Sequence, residues 1–112
     1  PGVRAGKLLF LSGQGALNPE SGEIEHPDDV VGQAEYTYHN IFKVIAAAGG
    51  KPDNLVKTIE YITPDALQGY RGVGALRAEL LAKPYPAATG VICETLLRPE
   101  MLIEVDPFAV LD

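Results

Sequence analysis

A long amphipathic stretch in the first half of the chain constrains the fold more than any other feature. Asp28 and Asp29 are typical helix-start residues, and the pair Gly49-Gly50 is a typical helix end. Between them, apolar side chains recur at spacings of three and four residues: Val30, Ala34, Tyr38, Ile41, Ile45 and Ala48. Such a stripe has to be buried against another layer. We therefore predict a helix over residues 29–48.

Four segments have the character of strands. Lys7–Gln14 is a short apolar run that ends in a Ser-Gly turn, and Leu55–Ile62 is rich in β-branched and aromatic residues. Ala87–Leu96 and Met101–Val110 are two further candidates. Because proline has no N–H for a sheet ladder, Pro107 predicts a bulge or a sheet edge in the last of them.

A second helix is predicted after Leu55–Ile62. Thr63-Pro64-Asp65 provides an N-cap residue followed by proline, and the helix has to end before Pro84. Spacings of three and four recur at Leu67, Tyr70, Val73, Arg77 and Leu80. The predicted order is strand, second strand, helix, strand, helix, strand, strand.

Length and patterning together predict a single domain over residues 1–112 that associates with copies of itself. Apolar residues make up 46% and charged residues 21% of the chain, as in folded globular proteins. Two helices of this length cover one face of a five- or six-stranded sheet, whereas the segments LLFL and FAVL place apolar side chains on both faces. The uncovered face therefore predicts a homo-oligomer.

Composition and motifs argue against several functional classes. Nine Lys and Arg against fifteen Asp and Glu give a net charge of −6, a poor match for nucleic acid. No metal-site spacing surrounds His26 or His39, and no phosphate-binding glycine loop is present, so we predict neither a metal nor a cofactor. Cys93 is the only cysteine and no apolar run approaches a membrane span, so we expect a cytoplasmic protein without a membrane partner.

Seven segments, in order along almost the whole chain, resemble the Rid family of reactive intermediate deaminases, the YjgF-type proteins that are also labelled endoribonuclease L-PSP. They are LLFLSGQ (8–14), NPESGEI (18–24), Gln33, AAAGG (46–50), NLVKTIEYIT (54–63), YPAATGV (85–91) and LIEVDPFAV (102–110). The resemblance implies an α+β, chorismate-mutase-like (bacillus type) two-layer sandwich, with a mixed sheet and two helices on one face. It further implies a homotrimeric barrel with small-molecule pockets between subunits.

The resemblance also implies a reaction, the hydrolysis of reactive imines and enamines to a 2-keto acid and ammonia. That chemistry needs a cation for the substrate carboxylate and an acid/base group that positions water. The family pattern Pro-Ala-Arg-Ser/Thr aligns with Pro86–Thr89, so Ala88 stands where the arginine is expected. Gly74 and Gly90 replace an asparagine and a cysteine, which predicts a roomier and less polar pocket in a divergent subgroup.

The same alignment assigns the remaining site residues. Asp106 matches the water-positioning carboxylate, either in that role or as a solvated acid, and Glu104 is its same-face neighbour. Ser12 and Gly13 match the pocket floor, and Thr89 follows the missing arginine. A family tyrosine would lie upstream of Pro1. Substrate-binding residues are thus predicted at Ser12, Gly13, Gly74, Arg77, Ala88, Thr89 and Gly90, with Arg77 or, as a weaker candidate, Arg71 compensating for Ala88.

Three functions follow from this pattern. The first is an enzyme that hydrolyses an imine or enamine other than 2-aminoacrylate, and the second is a non-catalytic trimer that binds a small metabolite. The third is the ribonuclease or translation-inhibitor activity attached to some relatives, against which the acidic composition argues. Sequence leaves open whether the protein is catalytic.

Overall fold

The computed structural model describes residues 1–112 and contains a five-stranded mixed sheet and two α-helices. The strands are β1 (Gly2–Ala5), β2 (Leu8–Leu11), β3 (Leu55–Ile62), β4 (Ala87–Ile92) and β5 (Ile103–Val110). The helices are α1 (Val30–Ala47) and α2 (Tyr70–Leu80), and short 3₁₀ segments occupy Pro52–Asn54 and Pro64–Gly69. The elements follow the predicted order, but the first predicted strand, Lys7–Gln14, corresponds to β2, and the additional strand is β1, which precedes that segment instead of following it.

The sheet has the strand order β1-β2-β5-β3-β4. β1 and β2 form a hairpin whose turn contains Gly6 at φ +62°, a backbone conformation that favours glycine. All neighbours are antiparallel except β3 and β4, which are parallel and joined through α2. β4 therefore forms one edge of the sheet.

Both helices lie on one face of the sheet, which we call the helix face. Seventeen buried residues form the core between the layers, with Tyr38, Ile41 and Ile45 of α1 fully buried. Val73 and Leu76 of α2 and apolar residues of β2, β3 and β5 also belong to it. The predicted α+β two-layer sandwich is confirmed, and α1 ends within one residue of the predicted helix at both termini.

The predicted second helix is only partly right. Pro64–Gly69 winds as a 3₁₀ helix, and the α-helix begins at Tyr70. Because a 3₁₀ helix has three residues per turn, the facing residue in this segment is Ala66, which is buried, while Leu67 is 54% exposed. In α2 the residue buried in the core is Leu76, whereas the predicted stripe contained Arg77. The Arg77 guanidinium therefore lies outside the apolar core and can contact polar groups.

The strand predicted over Leu55–Ile62 matches β3 at both ends, whereas the last two predicted strands are longer than β4 and β5 because β3 ends at Ile62. Its last pairs are Ile62 with Ile92 and with Ile103, so regular pairing of β4 stops and that of β5 begins there. One further bond follows β4, from the Cys93 N–H to the Ile62 carbonyl. The strand predicted to reach Leu96 therefore ends four residues earlier.

Pro107 lies in an inner strand and interrupts the ladder with β2. The Val105 N–H and C=O both bond to Gln14, so the Pro107 nitrogen, two residues on, faces the same side without a hydrogen. Between the pairs Phe10–Phe108 and Gln14–Val105 the register shifts by one residue. The predicted bulge is confirmed, whereas the alternative of a sheet edge is wrong.

The second face of the sheet, which we call the open face, has no layer over it. Leu8 and Phe10 are 47% and 44% exposed, and the Phe10 ring packs edge-on against Phe108 with centroids 6.1 Å apart. Val91 and Val110 are exposed as well. The apolar open face expected from the segments LLFL and FAVL is therefore present. Neither helix is long and apolar enough to cross a membrane.

Candidate functional site

A cavity of about 290 Å³ lies on the helix face, between α2 and the strands β3 and β4. We call it the helix-side cavity. It sits beneath the edge strand β4, and much of its wall is apolar. Its lining residues are Thr58, Gly74, Arg77, Ala78, Leu81, Tyr85, Pro86 and Ala88.

A cluster of four polar side chains adjoins this cavity, centred on the Glu60 carboxylate. The Tyr38 hydroxyl donates to Glu60 Oε2 over 2.6 Å, and the Tyr70 hydroxyl donates to Oε1 over 2.6 Å. Arg77 Nη1 also donates to Oε1, which makes an ion pair. Glu60 is 1% exposed and Tyr38 is fully buried, so the centre of the cluster belongs to the protein interior.

The sequence brings these groups together through simple periodicities. Thr58 and Glu60 alternate on the helix face of β3, and Gly90 of β4 is paired with Glu60. Tyr70, Gly74 and Arg77 follow at spacings of four and three along α2, so they share one side of the helix.

The cluster shifts the proton affinities of its members. Burial, and then the negative charge of Glu60, raises the pKa of Tyr38, so this hydroxyl keeps its proton. Burial and the hydrogen bond to Glu60 likewise raise the pKa of Tyr70. Burial lowers the pKa of Arg77, but its hydrogen bond to Glu60 and the charge of Glu60 outweigh this and raise it. Arg77 therefore stays a cation and is paired with the Glu60 carboxylate.

Thr58 is a polar group of the cavity wall without a partner. Its hydroxyl is buried and makes no hydrogen bond of ordinary geometry, although it lies close enough to the Tyr38 hydroxyl to lower the pKa of Tyr38 as a hydrogen-bonding neighbour. Buried hydroxyls are usually paired, so an orphaned one is a feature to explain. It lies in the wall of the same cavity as Arg77.

Three predicted substrate-binding residues, Gly74, Arg77 and Ala88, line the helix-side cavity. Gly90 faces the polar cluster, because a Cβ there would lie 3.0 Å from the Tyr70 hydroxyl. Gly90 does not line the cavity, and the Tyr70 hydroxyl occupies the space next to it, so the expectation of a roomier, less polar pocket there stays a prediction. Thr89 points to the open face, where Lys57 Nζ donates to its hydroxyl over 2.8 Å. Arg71 is exposed and does not line the cavity.

The other predicted residues meet on the open face. Ser12 and Gly13 follow β2, and the Glu104 carboxylate lies against Gly13, where a Cβ would be 2.7 Å from Oε2. Asp106 is two residues further along β5 on the same face. Partial burial, and then the charge of Asp106, raises the pKa of Glu104 above its usual range.

The predicted site residues thus form two groups on opposite faces of one sheet. Gly74, Arg77 and Ala88 lie on the helix face, and Ser12, Gly13, Glu104 and Asp106 lie on the open face. A single chain does not bring them together, because the core of the sheet separates them.

Comparison with known proteins decides the family. The family model described as endoribonuclease L-PSP, which covers the YjgF/RidA proteins, matches residues 1–111.

The chain belongs to this family, the Rid family.

Individual relatives agree with this assignment. A 2-iminobutanoate/2-iminopropanoate deaminase of Escherichia coli K12 is 38% identical over 61 residues, which cover 54% of this chain and 46% of that protein. The match thus spans about half the length of this curated relative. A RutC family protein of Pyrococcus horikoshii is 27% identical over 107 residues, covering 96% of this chain and 82% of the relative. The crystal structure of RidA from an Antarctic Psychrobacter superposes with a TM-score of 0.89 at 26% identity, covering 98% of this chain and 85% of that one.

Sequence reasoning missed the centre of the polar cluster in this Rid protein. Glu60 lies in the apolar strand LVKTIEYI, and the alternation of that strand assigns it to the same face as the buried Ile62. A glutamate at a core position of a strand is therefore the available signal. Tyr38 and Tyr70 fit apolar helical stripes, and nothing in the sequence marks them as partners of Glu60.

Proposed function

We propose that the protein hydrolyses a small imine or enamine in pockets between the subunits of a homotrimer. The observation that carries the proposal is the half-buried Glu104 carboxylate, which lies against Gly13 on the open face and has a raised pKa. The protein's family membership and its similarity to the 2-iminobutanoate/2-iminopropanoate deaminase of Escherichia coli support the reaction class.

Imine hydrolysis matches what a carboxyl group of this kind can do. Glu104 as carboxylate accepts a proton from water while the water oxygen adds to the carbon of a protonated imine, which gives a carbinolamine. Glu104 then returns this proton to the carbinolamine nitrogen, the carbon–nitrogen bond breaks, and the hydroxyl proton leaves with the ammonia as ammonium, so that a carbonyl product remains. A carboxyl group with a raised pKa accepts a proton more readily than an ordinary one, which suits a group that has to take up and return a proton in each cycle. We therefore propose Glu104 as the acid/base group, with Asp106, the residue predicted from sequence, as the neighbour whose charge adds to the effect of burial in raising the pKa of Glu104.

The homotrimer is proposed because the reaction needs both groups of site residues in one pocket, and a single chain holds them on opposite faces of its sheet. The open face exposes Leu8 and Phe10, which a second chain would cover, and the helix-side cavity lies at the other edge of the sheet beneath β4. In a closed ring of identical chains, the helix-side cavity of one subunit meets the open face of the next. Each pocket would then combine Arg77 and Thr58 of one chain with Gly13 and Glu104 of its neighbour. The cytoplasmic location stays a prediction.

The proposal is tested by ammonia release from freshly generated 2-aminoacrylate and from a panel of uncarboxylated imines. We expect turnover of at least one imine, reduced about 10²- to 10⁴-fold by Glu104→Gln, the usual contribution of a general acid/base group. Asp106→Asn should have a smaller effect, and Glu79→Gln on the exposed side of α2 serves as the matched control. Failure of the wild-type protein on every imine would refute the proposal.

A non-catalytic metabolite-binding trimer is the second candidate. Ala88 in place of an arginine, and Arg77 already paired with Glu60, favour it, because neither offers the usual clamp for a substrate carboxylate. In that case Glu104→Gln and Asp106→Asn change ligand affinity and no variant shows turnover. The ribonuclease alternative is disfavoured by the net charge of −6, and the absence of salt-dependent RNA retention in a gel shift would exclude it.

A further inference from the structure

The ion pair between Arg77 and Glu60 determines which ligands the helix-side cavity can hold. We infer that this cavity binds an uncharged hydrogen-bond acceptor, such as an amide or a ketone, in preference to a carboxylate. The inference deepens the proposed function and rests on it only where it identifies the cavity as the substrate-binding part of the site.

Glu60 is fixed beside Arg77 and cannot act as a mobile counter-ion. Its carboxylate accepts three hydrogen bonds, from Tyr38, Tyr70 and Arg77, and it is 1% exposed. These donors come from both helices and hold the carboxylate in one position. A ligand therefore meets Arg77 with its negative partner always in place.

The paired charges leave little net attraction for an anion. Arg77 is the only cationic residue of the cavity wall, because Lys57 of β3 points to the open face. A carboxylate placed against the guanidinium is attracted by Arg77 and repelled by Glu60 from a slightly greater distance, so the two energies largely cancel. The cost of removing that carboxylate from water remains. A neutral acceptor has a much smaller desolvation cost and still gains the hydrogen bonds.

Donors for such an acceptor are present. Only Nη1 of Arg77 bonds to Glu60, and although the Tyr70 hydroxyl lies close to the guanidinium, neither Nε nor Nη2 makes a hydrogen bond, so this edge can serve as a two-donor fork. Nη2 lies next to Gly74, where no side chain blocks the approach. The unpartnered Thr58 hydroxyl lies in the same wall. Leu81 and Ala88 then offer contacts to a short apolar group.

The test compares the binding of pyruvate and pyruvamide, which have nearly the same shape and differ in charge. Protein-detected NMR titration of the full chain should show that pyruvamide binds more tightly than pyruvate. Arg77→Met should weaken pyruvamide binding about tenfold or more, as expected for a lost charged donor. Arg71→Met, an exposed arginine of the same helix, is the matched control and should change neither affinity.

Two variants restore an unpaired cation and should reverse the preference. Ala88→Arg adds a guanidinium at an exposed position of β4, and Glu60→Gln removes the counter-ion, so each should favour pyruvate over pyruvamide by about tenfold or more. If Glu60→Gln does not fold, Ala88→Arg and the wild-type protein still provide the comparison.

Three results would overturn the inference: wild-type binding of pyruvate as tight as or tighter than that of pyruvamide, no binding of either, or no effect of Arg77→Met. The binding assay is independent of turnover. Absence of imine hydrolysis with the expected binding preference would refute the proposed function and leave this inference standing, whereas hydrolysis without the preference would do the opposite.

Discussion

At the scale of single residues, one buried carboxylate organises the helix face. Glu60 stands in β3 among apolar neighbours and takes donors from α1 through Tyr38 and from α2 through Tyr70 and Arg77. An unpaired carboxylate at this depth would be strongly destabilising, so each donor stabilises the fold as well as the geometry of the cavity.

Tyr38→Phe isolates the contribution of one donor. The substitution keeps the ring and removes the hydroxyl that bonds to Glu60, and we expect the free energy of unfolding to fall by about 1–3 kcal/mol. Tyr36→Phe, a partly buried tyrosine of the same helix with no hydrogen bond from its hydroxyl, is the control and should change it by less than about 0.5 kcal/mol. Equal effects in urea denaturation would contradict the stabilising role of the Tyr38 hydroxyl.

Glu104 should make stability depend on pH. Because folding raises its pKa, the folded state binds this proton more readily than the unfolded state, and stability falls as pH rises through the raised value. Glu104→Gln removes the effect. We expect the variant to be more stable than wild type near neutral pH and equally stable at about pH 3, below the ordinary pKa of a glutamate. A variant that is less stable near neutral pH would contradict the raised pKa.

At the scale of elements, two glycines of α2 have opposite roles. A Cβ on Gly72 would lie 2.7 Å from Val31 Cγ2 of α1, whereas one on Gly74 would lie 3.7 Å from Arg77 Nη2, an ordinary contact. Gly72→Ala should therefore destabilise the protein by about 1–3 kcal/mol through overpacking of a stiff side chain. Gly74→Ala should stabilise it by about 0.5–1 kcal/mol, the usual gain in a helix interior. The melting temperatures of the two variants, each compared with that of the wild-type protein, test whether α1 and α2 approach each other closely at Gly72.

The elements also show what sequence can and cannot predict. The bounds of α1 are predictable to within one residue because acidic residues start it, two glycines end it and its stripe is regular. The bounds of the second helix are not predictable in this way. A 3₁₀ segment precedes Tyr70 and changes the helical periodicity there, and no sequence signal stronger than Pro64 marks that change. The ends of β4 and β5 depend on where β3 stops, which is information from a distant part of the chain. The role of Glu60 is hidden for the same reason, since its tyrosine partners lie 10 and 22 residues away on other elements.

At the scale of the whole molecule, the open face is an apolar surface that no other layer of the chain covers. Phe10→Glu would place a charge in the centre of its apolar surface, and we expect this variant to be monomeric. The wild-type protein should have a mass of about 36 kDa in light scattering, three times the chain mass of 11.9 kDa. Leu67→Glu, at an exposed position beside the helices, should leave the mass unchanged. A monomeric wild-type protein would contradict the proposed assembly.

The central claim is that each site combines the helix face of one chain with the open face of another. The most direct measurement mixes two impaired variants, Arg77→Met and Glu104→Gln, after joint unfolding and refolding, and follows hydrolysis of the best imine substrate. Random trimers contain some sites in which both faces are intact, so the mixture should recover up to roughly a quarter of wild-type turnover although each variant alone has lost it. A mixture no more active than its components would show that the two groups of residues do not share a site, and the proposed pocket between subunits would be refuted.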